Sequence, residues 1–132
     1  MAMTTPLWCL VPAIMLPYVW SGVAAPMRKA QLGTIDNKHP RLQVPQLTGQ
    51  AARAYAAHLN AFEALMVFVP AVLVAHVTNA DPEWSARLAI GWVVCRSLHG
   101  IAYVANIDKL RSTLFALALA CALGLFVLAA RA

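Results

Sequence analysis

The sequence predicts an all-α integral membrane protein, a four-helix bundle, and three observations carry that prediction. Apolar residues make up 61% of the 132 and charged ones 11%. Soluble domains carry about a quarter charged residues, so this chain lacks the polar surface that a water-exposed fold needs. The apolar residues also fall in long blocks. Residues 1–27 and 112–130 have no charged side chain, residues 54–75 only Glu63, and residues 88–107 only Arg96. Each block reaches the ~20 helical residues that a bilayer core requires. A chain of this length forms one domain, taken as residues 1–132.

The first span is expected at Leu7–Ala25, with bends at Pro12 and Pro17. Ala24-Ala25 looks like a cleavage site, but no basic residue precedes the apolar run and two prolines interrupt it. It therefore reads as a retained helix and not as a signal peptide. A polar stretch follows, "MRKAQLGTIDNKHPRLQVPQLTGQ", punctuated by Gly33, Pro40, Pro45 and Gly49. The second span is Ala51–His76, with a kink expected at Pro70. Asp81-Pro82-Glu83 then opens a helix, Asp81 as N-cap and Pro82 in the first position. That third span is Glu83–Ile107. After "DKLRS", the fourth is Ser112–Arg131.

In the fourth span small residues recur four apart at Ala116, Ala120 and Gly124. That spacing lets another backbone approach, so this face is expected to pack against protein. Cys9, Cys95 and Cys121 lie inside apolar blocks without C-x-x-C spacing and read as small hydrophobes. No metal site is expected. The four tryptophans, Trp8, Trp20, Trp84 and Trp92, read mostly as anchors at helix ends. His39 reads as solvated and His76 as lying at the outer interface.

Four spans place both termini on one side with the 77–82 turn, a side that carries only Arg87 and Arg131. The other holds Arg28, Lys29, Lys38, Arg41, Arg53, Lys109 and Arg111. Positive loops stay in the cytoplasm, so both termini are expected outside it. The net charge of +5 thus reports topology and contact with anionic lipid, not nucleic-acid binding.

The run "RAYAAHLNAFEALMVFVPAVLVAH" places His58, Asn60 and Glu63 inside an apolar helix. Ionisable groups there cost several kcal/mol unless paired or facing water. Glu63 lies roughly 18 Å along the second span and Arg96 roughly 16 Å from the cytoplasmic end of the third. Antiparallel neighbours would bring the two to one depth, so they are expected to pair. Arg96, His99 and Tyr103, spaced i, i+3, i+7, share a face. Asn60 and Glu63 share another, and His58 points away to some other neighbour. Such a cluster opens to a basic rim and suits a small, polar, anionic ligand.

Four helices, a cytoplasmic first loop, "AHLNAFEA" in the second span and "RSLHGIAY" in the third resemble the MAPEG family, the membrane-associated proteins in eicosanoid and glutathione metabolism. "DNKHPRL" and "ARAYAAHLNAFEAL" resemble its bacterial branch, which implies a bacterial inner membrane. The resemblance runs from about Arg28 to about Phe115. It implies a homotrimer that binds glutathione, as co-substrate, at subunit interfaces near the cytoplasmic face. On that resemblance Arg28, Asn60, Glu63, Arg96, His99 and Tyr103 would hold glutathione, and Arg111 would stand beside its thiol as the catalytic residue.

The implied chemistry has a physical basis. A free thiol titrates at about 8.5 and reacts as thiolate. A neighbouring guanidinium in a low-dielectric site favours that anion. The thiolate would attack a lipophilic electrophile in the bilayer or reduce a lipid hydroperoxide, a transferase or peroxidase activity. The chain departs from active members at Leu59, where a basic residue is usual, and at Phe115, where some carry tyrosine. The alternative is a non-catalytic membrane scaffold that keeps the fold. A proton-coupled exporter is disfavoured, because residues 1–27 lack the carboxylate such exporters place in their first helix.

Overall fold

The computed structural model describes residues 3–132, and among them it is helical with no strand. Helix α1, Thr5–Leu32, runs through Pro12, Pro17 and Pro26. It passes the expected end at Ala25 and stops only at Gly33, whose φ of 78° is left-handed and whose N–H donates to the Lys29 carbonyl. Glycine adopts that conformation without the Cβ clash that other residues pay. The longer α1 carries Arg28 and Lys29 on its final turns.

The loop after α1 is folded. It contains the short helix α2, Pro40–Gln43, and a 3-10 turn, Val44–Gln46. The buried Gln43 side chain donates to the Thr34 carbonyl and accepts from the Asp36 N–H, both at 3.0 Å. Asp36 Oδ1 in turn accepts from the backbone N–H groups of Lys38 and His39. Gln31 and Thr48 close the loop at its base.

Helix α3, Gly49–Val77, includes Pro70. Helix α4, Pro82–Val104, is capped as expected by Asp81, whose Oδ1 accepts from the Trp84 N–H at 2.8 Å. Helix α5 is Asp108–Ala129. Asn79 (φ 57°) and Asn106 (φ 62°) end α3 and α4 in left-handed turns. In each, two backbone bonds fold back onto the last helical turn: Ala80 to Ala75 and Asn79 to His76, Ile107 to Ala102 and Asn106 to Tyr103. This is the Schellman arrangement, with Asn in place of Gly.

The four long helices pack together, α1 on α3 and α4, and α5 on α3 and α4. Two contacts set the register. Arg53 on α3 donates through Nε to the Val104 carbonyl at the end of α4, 3.2 Å away. Trp20 of α1 lies over Gly100 of α4, where an added Cβ would stand 2.1 Å from the indole. Deeper in, Phe68 and Trp92 stack with centroids 3.8 Å apart and planes 5° from parallel. Small residues surround them, among them Ala13, Ala71, Ala89, Ala118 and Ala122.

Two expectations are corrected here. Trp8 and Trp84 are exposed anchors, but Trp20 and Trp92 are buried in the bundle. The extension of α1 moves Trp20 to mid-helix, and Gly100 makes room for it. On α5 the buried stripe is Leu114, Ala118, Ala122, Leu125 and Ala129, while Ala116 and Ala120 face outward. Two residues of helix turn about 200°, so a small-residue stripe read two positions off lands on the opposite side. Within the chain only Gly124 of the expected triplet packs, against Leu88.

Three helices, α1, α3 and α5, are long and apolar enough to cross a membrane. The outer surface is rich in large apolar side chains, as lipid contact demands.

Candidate functional site

The site grows from the antiparallel register of α3 and α4. With Arg53 fixed at the end of α4, Asn60 comes level with Arg96 seven to eight residues deeper. Arg96 is 3% exposed. Its Nη2 donates to the Asn60 carbonyl at 2.9 Å and to Asn60 Oδ1 at 2.7 Å. Asn60 Nδ2 then donates to Glu63 Oε2 at 3.2 Å.

The expected direct pairing of Glu63 with Arg96 is therefore corrected. Among the described residues the only ion pair of a lysine or arginine is Glu83 with Arg87, and His39 lies 3.8 Å from the Asp36 carboxylate. Asn60 stands between guanidinium and carboxylate because its amide offers an acceptor to one and a donor to the other. Depth along a helix predicts which charges are level, not which side chain intervenes. Glu63 itself is exposed on the outer face of α3.

Toward the basic end, α4 presents His99 and Tyr103 on the face that carries Arg96. His99 is 3% exposed, and its ring meets Tyr103 edge-on at 5.7 Å. The Asn106 turn reverses the chain so tightly that α5 begins at Asp108, and this puts Arg111 in its first turn. The Arg111 Cζ stands 4.5 Å from the centre of the Tyr103 ring. A guanidinium over an aromatic face is held in place while its N–H edges stay free for a ligand.

Two neighbouring cavities result. The first, about 260 Å³, is polar and lined by Asn60, His99, Tyr103, Arg111, Ser112 and Phe115. The second, about 180 Å³, lies deeper and is mostly apolar. Asn60, Arg96 and Phe115 line it with Val67, Trp92 and Leu119. Asn60 and Phe115 belong to both, so they form the shared wall. Six of the seven expected residues thus gather around one place: Asn60, Glu63, Arg96, His99, Tyr103 and Arg111.

Arg28 does not join them within one chain. It lines a separate cavity of about 60 Å³ with Ser21, Leu47 and Tyr55, and its Nε has no partner. His58, which pointed to an unnamed neighbour, bonds the Pro17 carbonyl of α1 through Nδ1 at 2.8 Å. That partner accepts only, so Nδ1 carries the proton. His58 is thus structural, tying α1 to α3. Trp92 and Ser112 were missed in the sequence. For Trp92 a signal existed: Trp92, Arg96, His99 and Tyr103 follow i, i+4, i+7, i+11 on one face.

The arrangement can bind an anionic, polar molecule beside Arg111 and admit an apolar group next to it. No curated protein and no solved structure matches the chain. The model of the MAPEG family, however, matches residues 5–131, which include every residue lining the two cavities. With all but a few terminal residues matched, the chain belongs to the MAPEG family.

Proposed function

We propose that this chain is a membrane-embedded glutathione-binding protein with transferase or peroxidase activity on lipophilic electrophiles. The observation that carries the reading is the polar cavity in which Arg111, set over Tyr103, faces Asn60 and His99. Its cationic group and neutral donors suit glutathione, an anionic thiol peptide, as co-substrate. Asn60, His99 and Tyr103 would orient the peptide, with Arg96 and Glu63 holding Asn60 in place. Arg111 would stabilise the thiolate. An electrophile dissolved in the bilayer would arrive from the apolar side.

In this reading all four long helices cross the membrane. Helix α4 is the least apolar, yet Arg96 and His99 point inward while Ile90, Val94, Leu98 and Ile101 form its exposed face. The protein would sit in a bacterial inner membrane with both termini outside the cytoplasm, as seven basic residues at one end against two at the other suggest. It would assemble as a homotrimer. Glu63 supports this, because a carboxylate exposed on the α3 face beside Leu59, Phe62 and Met66 needs cover from a second copy. A partner copy could also bring its Arg28 to the polar cavity.

Calorimetric titration of the detergent-purified protein tests the reading. Glutathione and its S-alkyl derivative should both bind wild type, and Arg111→Ala should weaken glutathione binding while changing the affinity for the S-alkyl derivative little, since that ligand has no thiolate to stabilise. The absence of heat with either ligand would favour the scaffold alternative, in which the same polar groups serve assembly alone.

A further inference from the structure

At the end of the bundle opposite Arg111 lies another cavity, about 250 Å³, that the glutathione reading does not use. It sits where the start of α1, the last turn of α3 and the first turn of α4 converge. The buried Pro6, Val72 and Ala75 form its floor, and the more exposed Thr4, His76 and Asn79 form its rim. Ser85 also lines it, but its hydroxyl is sealed from the space and takes no part. The polar rim is not needed to hold the fold. The turn after α3 is closed by backbone bonds, Asn79 N–H to the His76 carbonyl and Ala80 N–H to the Ala75 carbonyl. Thr4 makes no side-chain cap on α1.

Exposed Trp8 and Trp84 stand within a helical turn of Thr4 and Pro82. Tryptophan gathers at the level of the lipid headgroups, which puts this cavity at that depth. Toward the membrane interior α1 and α3 expose Val11 and Leu73, a surface for acyl chains. Charge decides which headgroup fits. No lysine or arginine lines the cavity, and Asp81 lies between Ala80 and Pro82, which both do. A carboxylate or phosphate would lack a cation there and would meet a carboxylate instead. An uncharged hydroxyl or carbonyl is matched. Threonine and asparagine both donate and accept, and a neutral imidazole does one with each nitrogen.

We propose that this cavity binds the head of an uncharged single-chain lipid, a hydroxyl or carbonyl group held between Thr4, His76 and Asn79. The first carbons of the chain rest on Val72 and Ala75, and the remainder leaves along the exposed apolar faces of α1 and α3. The volume agrees with a partly enclosed ligand. About 250 Å³ falls just below the ~300–1,000 Å³ of sites that enclose a whole small molecule, so it suits a head with a short length of chain. The two ends of the bundle thus select by charge: the cavity beside Arg111 favours an anion, and this one excludes it.

Photoaffinity labelling tests the site in the whole protein, reconstituted in zwitterionic phospholipid nanodiscs. The probe is a long-chain primary alcohol that carries a diazirine beside its hydroxyl group. Label should saturate on residues 4–6 or 72–85. The methyl ketone of equal chain length should displace it, and the alkyl sulfonate should not. Asn79→Gly keeps the left-handed turn. Combined with His76→Ala, it should raise the half-saturating concentration about tenfold, the effect of losing one or two hydrogen bonds. His76→Trp, which fills the cavity from its rim, should abolish the label. Label that never saturates and spreads to outward-facing positions such as Val94 and Leu117 would overturn the proposal. So would equal displacement by the sulfonate, or saturable label that survives in folded His76→Trp. If His76→Trp does not assemble, the double variant decides, and unchanged half-saturation there refutes the site. The labelling uses no glutathione, so its outcome is independent of what Arg111 binds.

Discussion

At the residue scale, Asn60 is the hinge of the account. Its carbonyl and side chain hold Arg96, and its amide holds Glu63. Sequence spacing was enough to bring Asn60, Glu63, Arg96, His99 and Tyr103 together, because 3.6-residue periodicity fixes faces and rise fixes depth. It could not show that Asn60 intervenes, since that depends on rotamers and on helix rotation. Hydrogen bonds to charged groups contribute about 1.5–3 kcal/mol. Asn60→Leu should therefore lower thermal stability by that order, and combination with Arg96→Met should recover part of the loss. Glu63→Gln should cost less than Asn60→Leu, since Glu63 is exposed and does not touch Arg96. A larger loss in Glu63→Gln would restore the direct ion pair.

At the element scale, the long helices were legible because each is an apolar block, with asparagine turns closing α3 and α4 and Asp-Pro opening α4. The end of α1 was not, since Pro26 suggests a stop that the helix ignores in favour of Gly33. Nor could the pairing of Trp20 with Gly100 be read, as it joins positions eighty residues apart on different helices. This contact and the Arg53 bond to Val104 hold α4 in register with its neighbours. Gly100→Ala would force a methyl group into the indole, and overpacking of this kind costs about 1–3 kcal/mol. A lowered melting temperature is expected, with Trp20→Leu in the same chain recovering part of it. Full stability in Gly100→Ala alone would mean that α1 and α4 are not so closely packed.

At the scale of the whole molecule, a basic loop folded on itself lies at the end of the bundle where Arg111 stands. A reporter active only outside the cytoplasm should work when fused at Ala132 and fail when inserted near Lys38, and the reverse would move the site to the other side of the membrane. The central claim is that this site holds glutathione as a thiolate beside Arg111. The guanidinium fork should matter as well as its charge, so lysine is an incomplete substitute. The most direct measurement is the near-ultraviolet difference spectrum on adding glutathione to the assembled protein. Wild type should show thiolate absorbance at neutral pH, weakened in Arg111→Lys and lost in Arg111→Ala, while both variants remain folded. No thiolate band in assembled wild type, or an equal band in Arg111→Ala, would contradict the account.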